Sequence, residues 1–193
     1  MAVPLNLPGI QSFSDIELLE LSLANPDLII ERDNNGQLFI KIISVPVLTS
    51  ANKSELIGEV GIWNRKAHSG KILGPGCGYF LKDTSMRVPD VAWIRLERWN
   101  ALSMSGKKSF PYLVPDFIIE LKSETDSLME LKAKMQKWID NGVRLGWLIS
   151  TEKQITYVYK PDEELKTILF DELIFGEEVL DGFSIRLRDI LEY

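Results

Sequence analysis

The sequence predicts an α/β fold in which a mixed β-sheet is flanked by α-helices. Three observations carry that expectation. A strand–helix–strand run spans 117–149: an apolar strand at Phe117–Leu121, a helix opened by Ser127, and a second apolar strand at Leu145–Ile149. Its length suits a parallel crossover. Leu28–Arg32 and Gln37–Ile43 are strand-like runs around Asp33-Asn34-Asn35-Gly36, whose Asn-Gly pair signals a hairpin. Two further segments, 12–24 and 50–66, repeat apolar residues at helical spacing.

Taken in order, Met1–Gln11 carries Pro4 and Pro8 and reads as an extended lead-in. Helix 12–24 places Ile16, Leu19 and Leu23 on one face, with Ser14 and Glu17 as a capping box and Asn25-Pro26 as its stop. Helix 50–66 presents Leu56, Val60 and Trp63 on one face, with Glu55 and Glu59 on an adjoining stripe. Gly70–Gly78 supplies turns, Tyr79–Leu81 a short strand and Val88–Arg95 a longer one, before a polar connection over 96–109 that has room for one helical turn. Pro111 and Pro115 bracket entry into the central strand. Ser127 and Glu130 make a second capping box, ahead of the stripe Leu128, Leu131, Met135, Trp138 and Ile139, which Asn141-Gly142 ends. Strands follow at Ile155–Tyr159, Thr167–Phe170 and Ser184–Leu187. The expected organisation is one domain over 1–193: a helix and hairpin at 12–46, a core at about 50–160 and edge strands at 161–193.

Composition narrows the function classes. With 193 residues, 45% hydrophobic and 26% charged, the chain suits a soluble globular domain. The formal net charge of −6 gives no general basic footprint for nucleic acid. One cysteine, Cys77, excludes a disulfide framework, and one histidine, His68, excludes histidine triads and multi-histidine metal sites. His68 reads as a surface residue at a helix end. No leader pattern or apolar run of membrane-spanning length occurs, so a cytoplasmic location without membrane attachment is expected.

The chemistry centres on Pro115-Asp116-Phe117-Ile118-Ile119-Glu120-Leu121-Lys122-Ser123. Strand side chains alternate, so Glu120 and Lys122 share one face about 7 Å apart, while Phe117, Ile119 and Leu121 take the other. Charges inside a buried strand are costly unless paired or metal-bound, and a structural ion pair is the plain alternative. Val88-Pro89-Asp90-Val91 supplies a second acid at the start of its own strand. If the two strands are antiparallel neighbours, Asp90 and Glu120 converge. Such hard oxygen ligands suit Mg²⁺ or Mn²⁺. Lys122 would then orient the attacking water or stabilise transition-state charge. Asp116 lies roughly 13 Å along the strand from Glu120, too far to share an ion.

Pro89-Asp90 followed by Glu120-Leu121-Lys122 matches the PD-(D/E)XK signature of a nuclease superfamily. With the surrounding VPDVAWI, FPYLVPDFIIELKSETDSLMELKAKMQKWIDNGVRLGWLIS and ITYVYKP, the chain resembles the Uma family of restriction endonuclease domains within it. The resemblance runs from about Ser12 to Pro161. It implies a restriction-endonuclease-like core and a divalent-metal site at Asp90, Glu120 and Lys122, with an acid from the first core helix. Glu55 matches that acid, with Glu59 as the alternative, and Lys134 matches a recurrent family lysine as an accessory. The family's activity would be Mg²⁺- or Mn²⁺-dependent hydrolysis of DNA phosphodiester bonds through a metal-activated water. Asp90 and Glu120 would be the metal ligands, with Lys122 and Glu55 completing the catalytic set. Cutting both strands would favour a homodimer. Two competing expectations are a non-catalytic nucleic-acid-binding or regulatory module on the same fold, and an interaction protein whose charged strand end is structural.

Overall fold

The computed structural model describes residues 2–6, 13–42 and 46–193. In chain order its strands and helices are β1 Val3–Leu5, α1 Asp15–Ala24, β2 Leu28–Arg32, β3 Leu38–Ile42, α2 Val47–Ala67, β4 Gly70–Leu73, β5 Tyr79–Phe80 and β6 Met86–Arg87. There follow β7 Val91–Arg95, α3 Leu96–Ala101, α4 Met104–Lys107, β8 Phe117–Lys122, α5 Leu128–Asp140 and β9 Leu145–Ser150. The chain ends with β10 Ile155–Tyr159, β11 Lys166–Leu169, β12 Leu173–Phe175, β13 Ser184–Arg186 and a 3-10 turn at Leu187–Asp189. Most of the expected lead-in, the helix start at Ser12 and the strand end at Ile43 lie outside the described residues.

The central sheet has six strands in the order β11-β10-β9-β8-β7-β4. Among the described residues only β8 and β9 run parallel, joined by α5 as the crossover, and β7 lies antiparallel against β8 with Val91 opposite Ile119. The sheet is therefore mixed, as the sequence predicts. A five-stranded sheet, β1-β3-β2-β6-β5, is built round the expected hairpin, and β12 pairs with β13.

Alternation along β8 divides the core. Phe117, Ile119 and Leu121 pack with Trp93, Trp147, α2 and the C-terminal strands on one face. Ile118 faces α5 through Met135, Trp138 and Ile139 on the other. A Cβ on Gly146 of β9 would sit 2.5 Å from the Met135 methyl, so α5 lies close over the strand and that methyl would have to shift. Gly142, at φ 114, makes the left-handed turn that ends α5. α1 rests on the smaller sheet through Leu18, Ile30, Leu38 and Met86.

Ser14 and Glu17 form the expected reciprocal capping box, whereas of the box expected at Ser127 and Glu130 only the Glu130 N–H to Ser127 hydroxyl bond is made. His68 is an exposed left-handed C-cap of α2, at φ 52. Three expectations are corrected. α2 begins at Val47, earlier than 50, with Pro46 as its N-cap and the Ser50 N–H donating to the Pro46 carbonyl at 3.0 Å. The turn-rich stretch 70–78 contains β4, whose Gly70 is pressed against Trp93 and so carries no side chain to reveal a strand. The connection after β7 holds two short helices.

Candidate active site

Asp90 lies at a bend before β7, and the antiparallel register carries it to the late part of β8. Its N–H donates to Ile119 O at 3.2 Å. Its Oδ2 accepts the Leu121 N–H at 2.8 Å. Asp90 is thus knitted to the backbone on both sides of Glu120. Glu120 is buried beneath α5, which starts beyond the strand end and runs back across it.

That return path places Lys134 and Trp138, one helical turn apart, over the carboxylate. The Lys134 ammonium has three acceptors for its three protons: Glu120 Oε1 at 2.8 Å, Glu31 Oε1 at 2.8 Å and Val88 O at 2.7 Å. Trp138 Nε1–H donates to Glu120 Oε1 at 3.3 Å. Glu31 comes from β2, in the other large sheet. It accepts the Val88 N–H at 2.8 Å and meets Arg87 at 3.4 Å, so it fixes the chain just ahead of Asp90. From α2, Lys53 closes on Asp90 Oδ1 at 2.6 Å.

The electrostatics follow from crowding. Burial pushes the Glu120 carboxyl up to about 7, helped by the negative charges of Asp90 and Glu31 and opposed by Lys134. Burial also raises the Glu31 carboxyl, but Lys134, Arg87 and the Val88 N–H outweigh it and leave Glu31 below the usual carboxylate value. Burial alone would lower the Lys134 ammonium; Glu120 and Glu31 reverse that and hold it charged. The arrangement is a buried cation between two carboxylates with a third close by, and one of those carboxyls is poised to change charge near neutrality.

The sequence-predicted residues separate accordingly. Asp90 and Glu120 converge through the antiparallel pairing on which their proximity was conditional. Lys122 keeps the expected face, but its ammonium turns outward to Glu152 at 3.0 Å and Ser123 O at 3.3 Å, and the lysine on Glu120 is Lys134. The physical reason is position: Lys122 ends β8, beside the β9–β10 turn that carries Glu152, whereas Lys134 is returned over the strand by the crossover helix. Glu55 is exposed, and the helix face turned to Asp90 carries Lys53; two residues on a helix point about 200° apart. Glu59 is half-buried one turn on. Asp116 works at the other end of β8, where it accepts the Arg95 N–H at 2.9 Å and pairs with Arg98 at 2.9 Å.

Glu31 and Lys53 were not singled out from the sequence. A signal for Glu31 existed, since it is a charge inside an apolar hairpin strand, as Glu120 is inside its own. Lys53 gave none on a helix rich in polar residues. Among the described residues no three of His, Cys, Asp and Glu come together as a metal cage. The donor set, Asp90 and Glu120, is one of hard oxygens and fits an ion held by one or two carboxylates plus water and phosphate, which is the habit of Mg²⁺.

A mixed sheet with one helix-crossed parallel pair and helices packed on both faces is a restriction-endonuclease-like fold. The chain belongs to the Uma2 family, described as "Putative restriction endonuclease", whose model matches residues 13–188. Among solved structures, the fold is similar to one titled as a "putative nuclease belonging to DUF820" from Anabaena variabilis ATCC 29413. The two share 20% identity at a TM-score of 0.76, covering 92% of this chain and 97% of that one. No curated protein matches. Among the described residues no helix is long and apolar enough to cross a membrane.

Proposed function

We propose that this protein is a metal-dependent endonuclease that hydrolyses DNA phosphodiester bonds. The observation that supports it most is that the antiparallel pairing of β7 and β8 brings Asp90 beside Glu120, which Lys134 meets at 2.8 Å. Asp90 and Glu120 would hold Mg²⁺ or Mn²⁺. That ion, when bound, neutralises phosphate charge and lowers the pKa of its water. Lys134 takes the role expected of Lys122: its ammonium, fixed by Glu31 and Val88 O, stabilises charge that develops on the phosphate. Glu31 positions Lys134 and the Val88 main chain, and Trp138 orients the Glu120 carboxylate. Lys53 balances Asp90 in the absence of an ion. Cleavage of both strands would require two sites, which a twofold dimer supplies, and action on cellular DNA would go with a cytoplasmic location.

The test is nicking of supercoiled DNA by purified protein with Mn²⁺, with EDTA and Glu120→Gln as controls. Cleavage that EDTA and Glu120→Gln both remove is the expected result. Cleavage that survives Glu120→Gln places the reaction elsewhere. A second reading, a nucleic-acid-binding module that does not cut, has one observation in its favour: Lys53 and Lys134 already neutralise both carboxylates. Metal-independent DNA binding with no cleavage in Mg²⁺ or Mn²⁺ would establish it instead.

A further inference from the structure

Lysines surround this end of the central sheet, and their partners differ in one respect. Lys41 meets Asp126, Lys53 meets Asp90 and Lys134 meets Glu120, and these carboxylate side chains are only 9%, 14% and 5% exposed. Lys122 is itself 9% exposed, yet its carboxylate, Glu152, is 70% exposed. A sheltered ammonium is therefore held by a freely solvated glutamate. Such a pair contributes little, because water competes for the exposed partner, while the cost of sheltering the cation remains.

Glu152 sits in the turn Thr151–Gln154, closed by the Gln154 N–H to Thr151 O at 3.1 Å. Its side chain can rotate into solvent without disturbing any strand pairing. Lys122 would then present a sheltered cation on the same face as Glu120, two strand residues or about 7 Å along β8. That separation is comparable with the spacing of successive phosphates on a nucleic-acid strand. A phosphate diester offers the ammonium a full negative charge on more than one oxygen, brought by a polyanion that also releases counterions.

We infer that Lys122 binds a DNA backbone phosphate neighbouring the scissile one, and that Glu152 occupies that position until DNA displaces it. This rests on the nuclease reading. It gives Lys122 a binding role where the sequence motif suggests a catalytic one, and makes Glu152 a competitor built into the chain. No bond is made or broken in the exchange; one carboxylate leaves the ammonium and one phosphate takes its place.

The experiment is fluorescence anisotropy with a labelled DNA duplex in Ca²⁺ over a salt series, alongside Mn²⁺-dependent cleavage by the same proteins. Lys122→Gln should weaken binding roughly three- to tenfold and reduce the salt slope by about one. Lys122→Arg should restore both. Glu152→Gln should tighten binding by a similar factor. Glu163→Gln, which removes the same charge at the far end of β10, should tighten it much less. Wild-type protein that binds and cuts while Lys122→Gln and Glu152→Gln bind as it does would overturn the subsite and leave the nuclease standing. Equal tightening by Glu152→Gln and Glu163→Gln would reduce the Glu152 effect to net charge and overturn its competitor role. Wild-type protein that neither binds nor cuts overturns the nuclease reading, and the subsite with it.

Discussion

Lys134 Nζ lies 2.8 Å from Glu120 Oε1, although the two residues belong to different elements and only the return of α5 across β8 brings them together. The same ammonium reaches Glu31 in the other large sheet, so one cation ties helix, central sheet and hairpin. Removing it leaves the buried Glu120 without its counter-charge and Glu31 with Arg87 alone. Lys134→Met should therefore destabilise the fold by about 3 kcal/mol, the scale of breaking a buried pair from one side. Urea unfolding measures this, and a loss below about 1 kcal/mol would mean that the carboxylates find other partners or take up protons.

The Glu120 carboxyl gives a pH dependence whose sign is opposite to that of an ordinary ion-paired acid. Its value in the fold is about 7, against an ordinary 4.5, so between those limits the native state holds a proton that the unfolded chain has released. Stability contributed by this group is present at low pH and lost as pH rises from about 4.5 to about 7. In EDTA, wild type minus Glu120→Gln should show that fall in urea midpoint. A difference that is flat, or that rises across the window, would contradict the burial argument.

Lys53 and Glu55 make opposite predictions although they share α2. Lys53 competes with any cation for Asp90, so Lys53→Met should tighten Mn²⁺ binding several-fold. Glu55, exposed and turned away, should be silent: Glu55→Gln should bind Mn²⁺ as wild type does. Calorimetric titration of both variants decides. Weaker binding by Glu55→Gln would return that residue to the site.

Asp116 separates a structural acid from a functional one. It is buried with Arg98 and the Arg95 N–H at the opposite end of β8. Asp116→Ala should cost about 1–3 kcal/mol in unfolding, the scale of leaving the Arg95 N–H unsatisfied, because the half-exposed Arg98 can turn to water. Its metal affinity should match wild type, as measured by the same calorimetry on the folded variant. A lost metal site would show that the two ends of β8 are coupled.

The sheet was legible because its signals are local and physical. Alternation put Phe117, Ile119 and Leu121 on one face, and the crossover length made β8 and β9 parallel. Glu120 stood out for a related reason, since a charge in a buried strand has few explanations, and Asp90 stood out as an acid behind a proline just ahead of β7. What failed was reach. Alternation fixes the face of Lys122 but not which carboxylate its four-carbon arm finds, and Glu152 is nearer the strand end. Lys134 lay at the border of its helical stripe, and only the angle at which α5 returns over β8 settles what it meets. Glu31 is distant in sequence from every partner it has, so its charge was visible and its neighbours were not. Glu55 was carried by family resemblance, while the helix phase that turns Lys53 toward Asp90 depends on the packing of Leu56 and Val60.

The most direct measurement of the central claim is single-turnover cleavage by Lys134→Met and Lys122→Met. Both should be shown to be folded by circular dichroism and compared at matched Mn²⁺ occupancy with protein in excess over DNA. Saturating protein cancels the binding defect expected of Lys122→Met, so this variant should cut within about tenfold of wild type, while Lys134→Met should lose at least two orders of magnitude. A Lys134→Met protein that cuts normally, beside a Lys122→Met protein that does not, would contradict the assignment of the helix lysine to the site.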